Sequence, residues 1–97
     1  MVNVKFIKLS IKDNVVTLLE DAEVGQLLEI GHQSIKIKEK VKFGHKIAIK
    51  NISPGENIMK YGEVIGAATY KIEEGHHAHV HNIESLRVRH DLKGSEV

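Results

Sequence analysis

The sequence predicts a small, mostly β single domain, and three observations carry that reading. Apolar runs are short and rich in Val, Ile and Leu. Turn residues recur every several positions between them. No stretch sustains the helical spacing of apolar residues over three turns. A chain of 97 residues fits one domain with a modest stability margin.

The elements follow in order. Residues 4–9 alternate in part, with Val4, Phe6, Ile7 and Leu9 set among lysines, and read as a first strand. Asp13-Asn14 is a turn signal. Residues 15–19 form a β-branched, apolar strand, and Asp21 to Gly25 turns the chain. Residues 26–30 are a strand that Gly31-His32 closes into a tight hairpin, since glycine takes positive φ at low cost. His32 is read there as a turn residue without chemistry. Residues 34–39 alternate strictly, as in a half-exposed antiparallel strand. Phe43-Gly44-His45-Lys46 leads into Ile47-Ala48-Ile49, and Ser53-Pro54-Gly55-Glu56 is a turn. Residues 57–62 are a short strand ended by glycine. The small residues of Val64-Ile65-Gly66-Ala67-Ala68 suit close backbone packing. Tyr70 to Gly75 turns into a histidine-rich segment. Residues 83–97 are read as a polar tail in which a short helix or strand is allowed.

A weak repeat runs through these elements. Leu18, Ala22, Gly25 and Leu28 share their spacing with Ala48, Ile52, Gly55 and Ile58, and with Ala68, Ile72, Gly75 and Ala78. Each copy reads as strand, tight turn, strand.

Composition excludes several function classes. Lys and Arg number 14 against 13 Asp and Glu, so no electrostatic case for nucleic acid exists. Cysteine is absent, which excludes disulfides and thiolate metal sites. The N-terminal stretch has no long apolar run, so neither a signal peptide nor a membrane span is expected, and the expected location is cytoplasmic.

The chemistry concentrates in Gly75-His76-His77-Ala78-His79-Val80-His81-Asn82, which holds four of the seven histidines. If the segment is extended, His77, His79 and His81 share one face while Ala78 and Val80 face the core. Ring-bearing positions two apart sit roughly 6–7 Å from each other. His77, His79 and His81 on one ion would therefore need a bend in the strand. Imidazole titrates near neutrality and ligates metals, so acid/base work and metal ligation both stay open. A site with two local ligands needs completion from elsewhere.

Three features in order, Gly44-His45-Lys46-Ile47-Ala48, then Ile58-Met59-Lys60-Tyr61-Gly62 with Ile65-Gly66, then the histidine segment, resemble one family. It is the SAF-type N-terminal domain of altronate and galactarate dehydratases, with the small subunit of sulfolactate sulfo-lyase a close variant. The resemblance spans about residues 13–82, and its specificity lies in the combination of motifs. The family usually carries an acidic residue where His76 stands.

The resemblance implies a β-clip fold over residues 1–82, related in shape to type III antifreeze proteins. It implies a part in a hydro-lyase that removes water from a sugar acid, with a divalent metal, most often iron. It implies a large dehydratase-family catalytic subunit as partner, with homo-oligomers also compatible. His79 and His81 would protonate the departing hydroxyl or, with His77, hold the metal. Lys60 would pair with the substrate carboxylate and Tyr61 would donate a hydrogen bond. His45, with Lys46, would be presented from a strand start. The chain alone is expected to lack turnover. Two other classes stand beside this one: a free-standing metal-binding module built on His77, His79 and His81, and a structural β-clip used for interaction.

Overall fold

The computed structural model describes residues 3–85. Nine strands and no helix occur among them: β1 (Phe6–Ile7), β2 (Val15–Leu18), β3 (Leu27–Ile30), β4 (Gln33–Lys36), β5 (Lys46–Ala48), β6 (Asn57–Lys60), β7 (Glu63–Ala68), β8 (His77–Ala78) and β9 (Ile83–Ser85). The mostly β class expected from the sequence is the one observed.

A four-stranded antiparallel sheet in the order β1-β2-β5-β8 runs through the middle. Its strands are apolar on both faces, and period-two alternation sends neighbours to opposite sides. Val16, Leu18, Ile47 and Ile49 enter one core with Leu28, Ile35, Ile37 and Val41. Val15, Ala48 and Ala78 enter a second core with Ile52, Ile58, Ala68 and Ile72. The β3–β4 hairpin supplies the first core, and the β6-β7-β9 sheet supplies the second.

The repeat is real in three dimensions, and it has a fourth copy. Ile37, Val41, Gly44 and Ile47 share the spacing of the other three sets, and all three apolar members are buried. The sequence reading absorbs Ile37 into an alternating strand and so passes over this copy. The four turn glycines adopt φ of 94°, 84°, 85° and 89° at positions 25, 44, 55 and 75. Copies pair reciprocally. Gly25 N–H donates to Ile37 O at 2.9 Å, and Gly44 N–H to Leu18 O at 2.9 Å. Gly55 N–H donates to Ala68 O at 2.7 Å, and Gly75 N–H to Ala48 O at 2.8 Å. The middle residues bridge in the same pairs, Ala22 with Val41 and Ile52 with Ile72.

The domain is thus two halves of one design, residues 18–47 and 48–78. The second half is one residue longer because β7 carries a bulge. Ile58 opposes Gly66 and Met59 opposes Val64, leaving Ile65 without an opposite.

Local readings fare unevenly. The Gly31-His32 hairpin forms as expected between Ile30 and Gln33. Gly66 meets the close packing expected of it, since a Cβ there would lie 2.2 Å from Glu84 O. Residues 83–85, assigned to the tail with a strand allowed, are strand β9 against β7; residues 86–97 lie outside the described part. The first strand is a correction. Only Phe6–Ile7 forms a ladder with β2, Val4 bonds instead to Leu27 O, and Leu9 is 71% exposed. Asp13 explains this, because its buried carboxylate accepts from the Leu9 and Ser10 amides and turns the chain.

Candidate metal centre

The site is built where the two halves meet. Strands β5 and β8 pair antiparallel, with Lys46 opposite Ala78 and Ile47 opposite His77. One step beyond the ladder, His45 falls across from His79, and their ring centroids are 4.5 Å apart. His45 comes from the Gly44 turn and His77 from the Gly75 turn, so one repeat unit serves both.

The extended reading of residues 76–82 needs correcting. Only His77–Ala78 is strand, and Val80, expected in the core, is 81% exposed. Asn82 is the cause. Its Oδ1 accepts from the His79 amide at 2.8 Å, its Nδ2 donates to His77 O at 2.9 Å, and its amide donates to His79 O at 2.9 Å. These three bonds fold 79–82 into a turn that a period-two pattern cannot anticipate. Ala78 does face the core, as expected.

The turn provides the bend that the imidazole row requires. His77 and His79 stack with centroids 5.2 Å apart, and His81 also reaches within 5.2 Å of the His77 ring. Ligand nitrogens of His45, His77 and His79 all lie within 4.8 Å of one another. His81 is exposed and stands beside this trio rather than in it. His45 Nδ1 and His77 Nε2 share a hydrogen bond of 2.9 Å, so one ring donates and the other accepts.

The surroundings of His77 and His79 favour the neutral imidazole. Burial lowers the pKa of His77 most, followed by the charges of His45, His81 and His79; Glu39 opposes. Burial also lowers that of His79, followed by His45, Lys46 and His81. Neutral imidazoles are the ligating form. Two nitrogens on one ion sit roughly 3–3.5 Å apart, given bonds near 2.0–2.1 Å. Three nitrogen donors on one side, with the other positions open, fit a divalent transition metal.

Two supporting residues escape the sequence reading. Glu39 Oε2 binds His76 Nδ1 at 2.9 Å and accepts the His77 amide at 3.0 Å. Burial pushes its pKa up, but the His76 hydrogen bond, the His77 amide and the two imidazole charges together bring it below the ordinary value. No sequence signal links it to a histidine 37 positions away. Asn82 is visible in the motif, but its backbone clamp is not.

Lys60 ends β6 and Tyr61 begins the β6–β7 loop, outside the imidazole group. The Lys60 ammonium sits 4.9 Å from the Tyr61 ring centroid. Tyr61 has φ of 54° and donates from its hydroxyl to Thr17 Oγ1 at 3.4 Å. Thr17 in turn lies opposite Lys46 on β2 and β5. An open groove of 580 Å³ beside His79 is lined by Lys46, Ile65, Val80, Ile83 and Glu84 among others. No described helix is long and apolar enough to cross a membrane.

Comparison with known proteins adds the context. The sequence model of the altronate/galactarate dehydratase SAF domain matches residues 4–86. An altronate dehydratase of Bacillus subtilis (strain 168) is 42% identical over 80 residues, covering 82% of this chain and 16% of that protein. An altronate dehydratase of Escherichia coli (strain K12) is 37% identical over 78 residues, again 16% of its length. The (2R)-sulfolactate sulfo-lyase subunit alpha of Chromohalobacter salexigens is 32% identical over 78 residues, covering 74% of this chain and 83% of the subunit. The chain therefore spans about a sixth of the altronate dehydratases but most of the sulfo-lyase subunit.

Proposed function

Because the chain belongs to the family of altronate/galactarate dehydratase SAF domains, we propose that it is the small component of a sugar-acid hydro-lyase. It contributes histidines to a metal and substrate site that a large catalytic region completes. The observation that carries this is the His45, His77 and His79 trio, whose ligand nitrogens lie within 4.8 Å of one another. The small share of the altronate dehydratases that the chain spans supports a separate catalytic region.

His45, His77 and His79 would hold a divalent metal, iron by family resemblance, with His81 at the rim. When bound, such an ion acts as a Lewis acid on a departing hydroxyl. The chain's own residues do the rest. His79 and His81 would hold or release a proton at the leaving oxygen. Glu39 and Asn82 fix the backbone that carries the rings. Lys60 offers a point charge to a substrate carboxylate, and Tyr61 a hydroxyl. The proton next to the carboxylate would be removed by a base from the catalytic partner.

A second reading has an observation of its own. The chain matches 83% of a sulfolactate sulfo-lyase alpha subunit, a free-standing small chain, so a sulfo-lyase small subunit ranks next.

The pure chain, loaded with iron(II), should turn over neither altronate, galactarate nor sulfolactate. Adding a large catalytic subunit of the same dehydratase family should give lyase activity toward one of them, and His79→Ala should reduce it. Turnover by the chain alone, or full activity of the large subunit without it, would overturn the reading.

A further inference from the structure

Near the imidazoles, Lys46 and Lys60 take part in no ion pair among the described residues. Lys46 is half-buried on β5, and Lys60 ends β6. Ion pairs among the described residues join Lys40 to Glu23, Lys71 to Glu73 and His76 to Glu39, and none includes Lys46 or Lys60. Glu84 lines the same groove as Lys46 but makes no ion pair with it. A sequestered ammonium is costly unless something compensates it. For Lys60 the Tyr61 ring gives partial compensation, weaker than a carboxylate.

Geometry brings the two together. Lys46 lies opposite Thr17, Thr17 accepts from the Tyr61 hydroxyl, and Lys60 sits over the Tyr61 ring. An anion seated here would relieve the mutual repulsion and lie beside the candidate metal centre.

We propose that Lys46, which lines the groove beside His79, and Lys60, held over the Tyr61 ring, form a two-point oxyanion site that takes the carboxylate of a hydroxy acid. This rests on the substrate class proposed above. It adds Lys46, which repels Lys60 when the site is empty and shares the anion with it when filled.

The test uses the metal-free chain at pH 8, with amide shifts followed during titration with D-altronate and with uncharged altritol. Altronate should move Thr17, Lys46 and Ala78, and altritol should not. Lys46→Met and Lys60→Met should each weaken altronate binding about fivefold, the weight of one partly exposed charge pair. Lys46→Arg and Lys60→Arg should bind within about twofold of the parent, since charge is retained. Neither Met variant should melt lower than the parent, because removing one of two repelling cations costs no contact. Equal response to altritol, Met variants that bind like the parent, or shifts confined to other regions would overturn the site. Zinc titration of His45→Ala separates the two readings. Lost zinc binding with the altronate response intact supports both, whereas parental zinc binding would sink the metal assignment and leave the oxyanion site standing.

Discussion

The two halves of the domain share a backbone, and within each half the two copies differ in what their turns ask of side chains. In the first and third copies, the residue after glycine folds back to close its own turn. Gln26 Oε1 accepts from the Glu23 amide at 2.7 Å, and Glu56 Oε1 from the Ser53 amide at 3.0 Å. In the second and fourth copies, the acceptor arrives from the paired copy. Asp21 Oδ1 takes the Phe43 amide at 2.8 Å, and Asn51 Oδ1 takes the Glu74 amide at 2.9 Å. These amides stand just before glycine, one position on from Glu23 and Ser53, and the residues after glycine here are His45 and His76. His45 joins the imidazole trio, whereas His76 bonds Glu39. The hairpin loops differ likewise. Gly31 takes φ 58° in the first half, while Tyr61 takes φ 54° at the matching place in the second.

The sharpest way to break the equivalence is to add one methyl group to equivalent glycines. Gly44 and Gly75 both have φ near 85–90°, so alanine at either is strained by about 1–2 kcal/mol. Around Gly44 nothing lies within 4 Å of an added Cβ, but at Gly75 it would sit 2.2 Å from Lys36 O. Backbone must move there, at a further cost of about 1–3 kcal/mol. Urea unfolding should show Gly75→Ala losing roughly twice what Gly44→Ala loses. Equal losses would mean that the close approach of the Gly75 turn to β4 carries no weight.

Metal binding tests the same asymmetry next. His45→Ala or His77→Ala should weaken zinc binding about 100-fold or more, as expected when one of three donors is removed. His32→Ala, in the first hairpin loop, should leave affinity unchanged. Calorimetry on the full chain reads both. His81→Ala should fall between, because its ring neighbours His77 but not the shared donor position.

What the sequence showed and what it hid follow one physical rule. Patterns of period two and turn glycines report burial and φ, so the β class, the Gly31-His32 hairpin and three repeat copies were visible in Leu18, Ala48, Ala68 and their partners. Contacts distant in sequence were not. Glu39 meets His76 through tertiary folding, and His45 joins His77 only because β5 pairs with β8. The row of His77, His79 and His81 was read as a straight strand because a polar side chain bonding to local backbone, here Asn82, leaves no periodic trace.

Acid should weaken the second half before the first. His77 and His79 have folded pKa values below the ordinary 6.5, and Glu39 below 4.5. A depressed folded pKa means that the unfolded chain binds protons first as pH falls. Stability is therefore full above about 6.5 for the histidines and declines below it, with a further decline below about 4.5 from Glu39. Chelator-treated protein should melt progressively lower from pH 7 to pH 5. His45→Gln, which removes a charge acting on His77, should flatten that slope. Amide exchange should localise the loss to residues 76–82, and a uniform loss across both halves would contradict it.

The smallest effect concerns the two hairpin loops. A tyrosine at positive φ is strained by about 1 kcal/mol relative to glycine, and the matching residue in the first half is glycine. Tyr61→Gly should therefore relieve that strain, yet it also removes the 3.4 Å bond to Thr17 and the ring beneath Lys60. Both contacts are exposed and weak, so the net change should be a stabilisation of about 0.5 kcal/mol or less. Gly31→Tyr should cost about 1–2 kcal/mol, since no threonine hydroxyl waits for a ring there. If Tyr61→Gly instead lowers the melting temperature by several degrees, the tyrosine is holding the β6–β7 loop against Thr17 more firmly than its geometry indicates, and the strain is balanced locally.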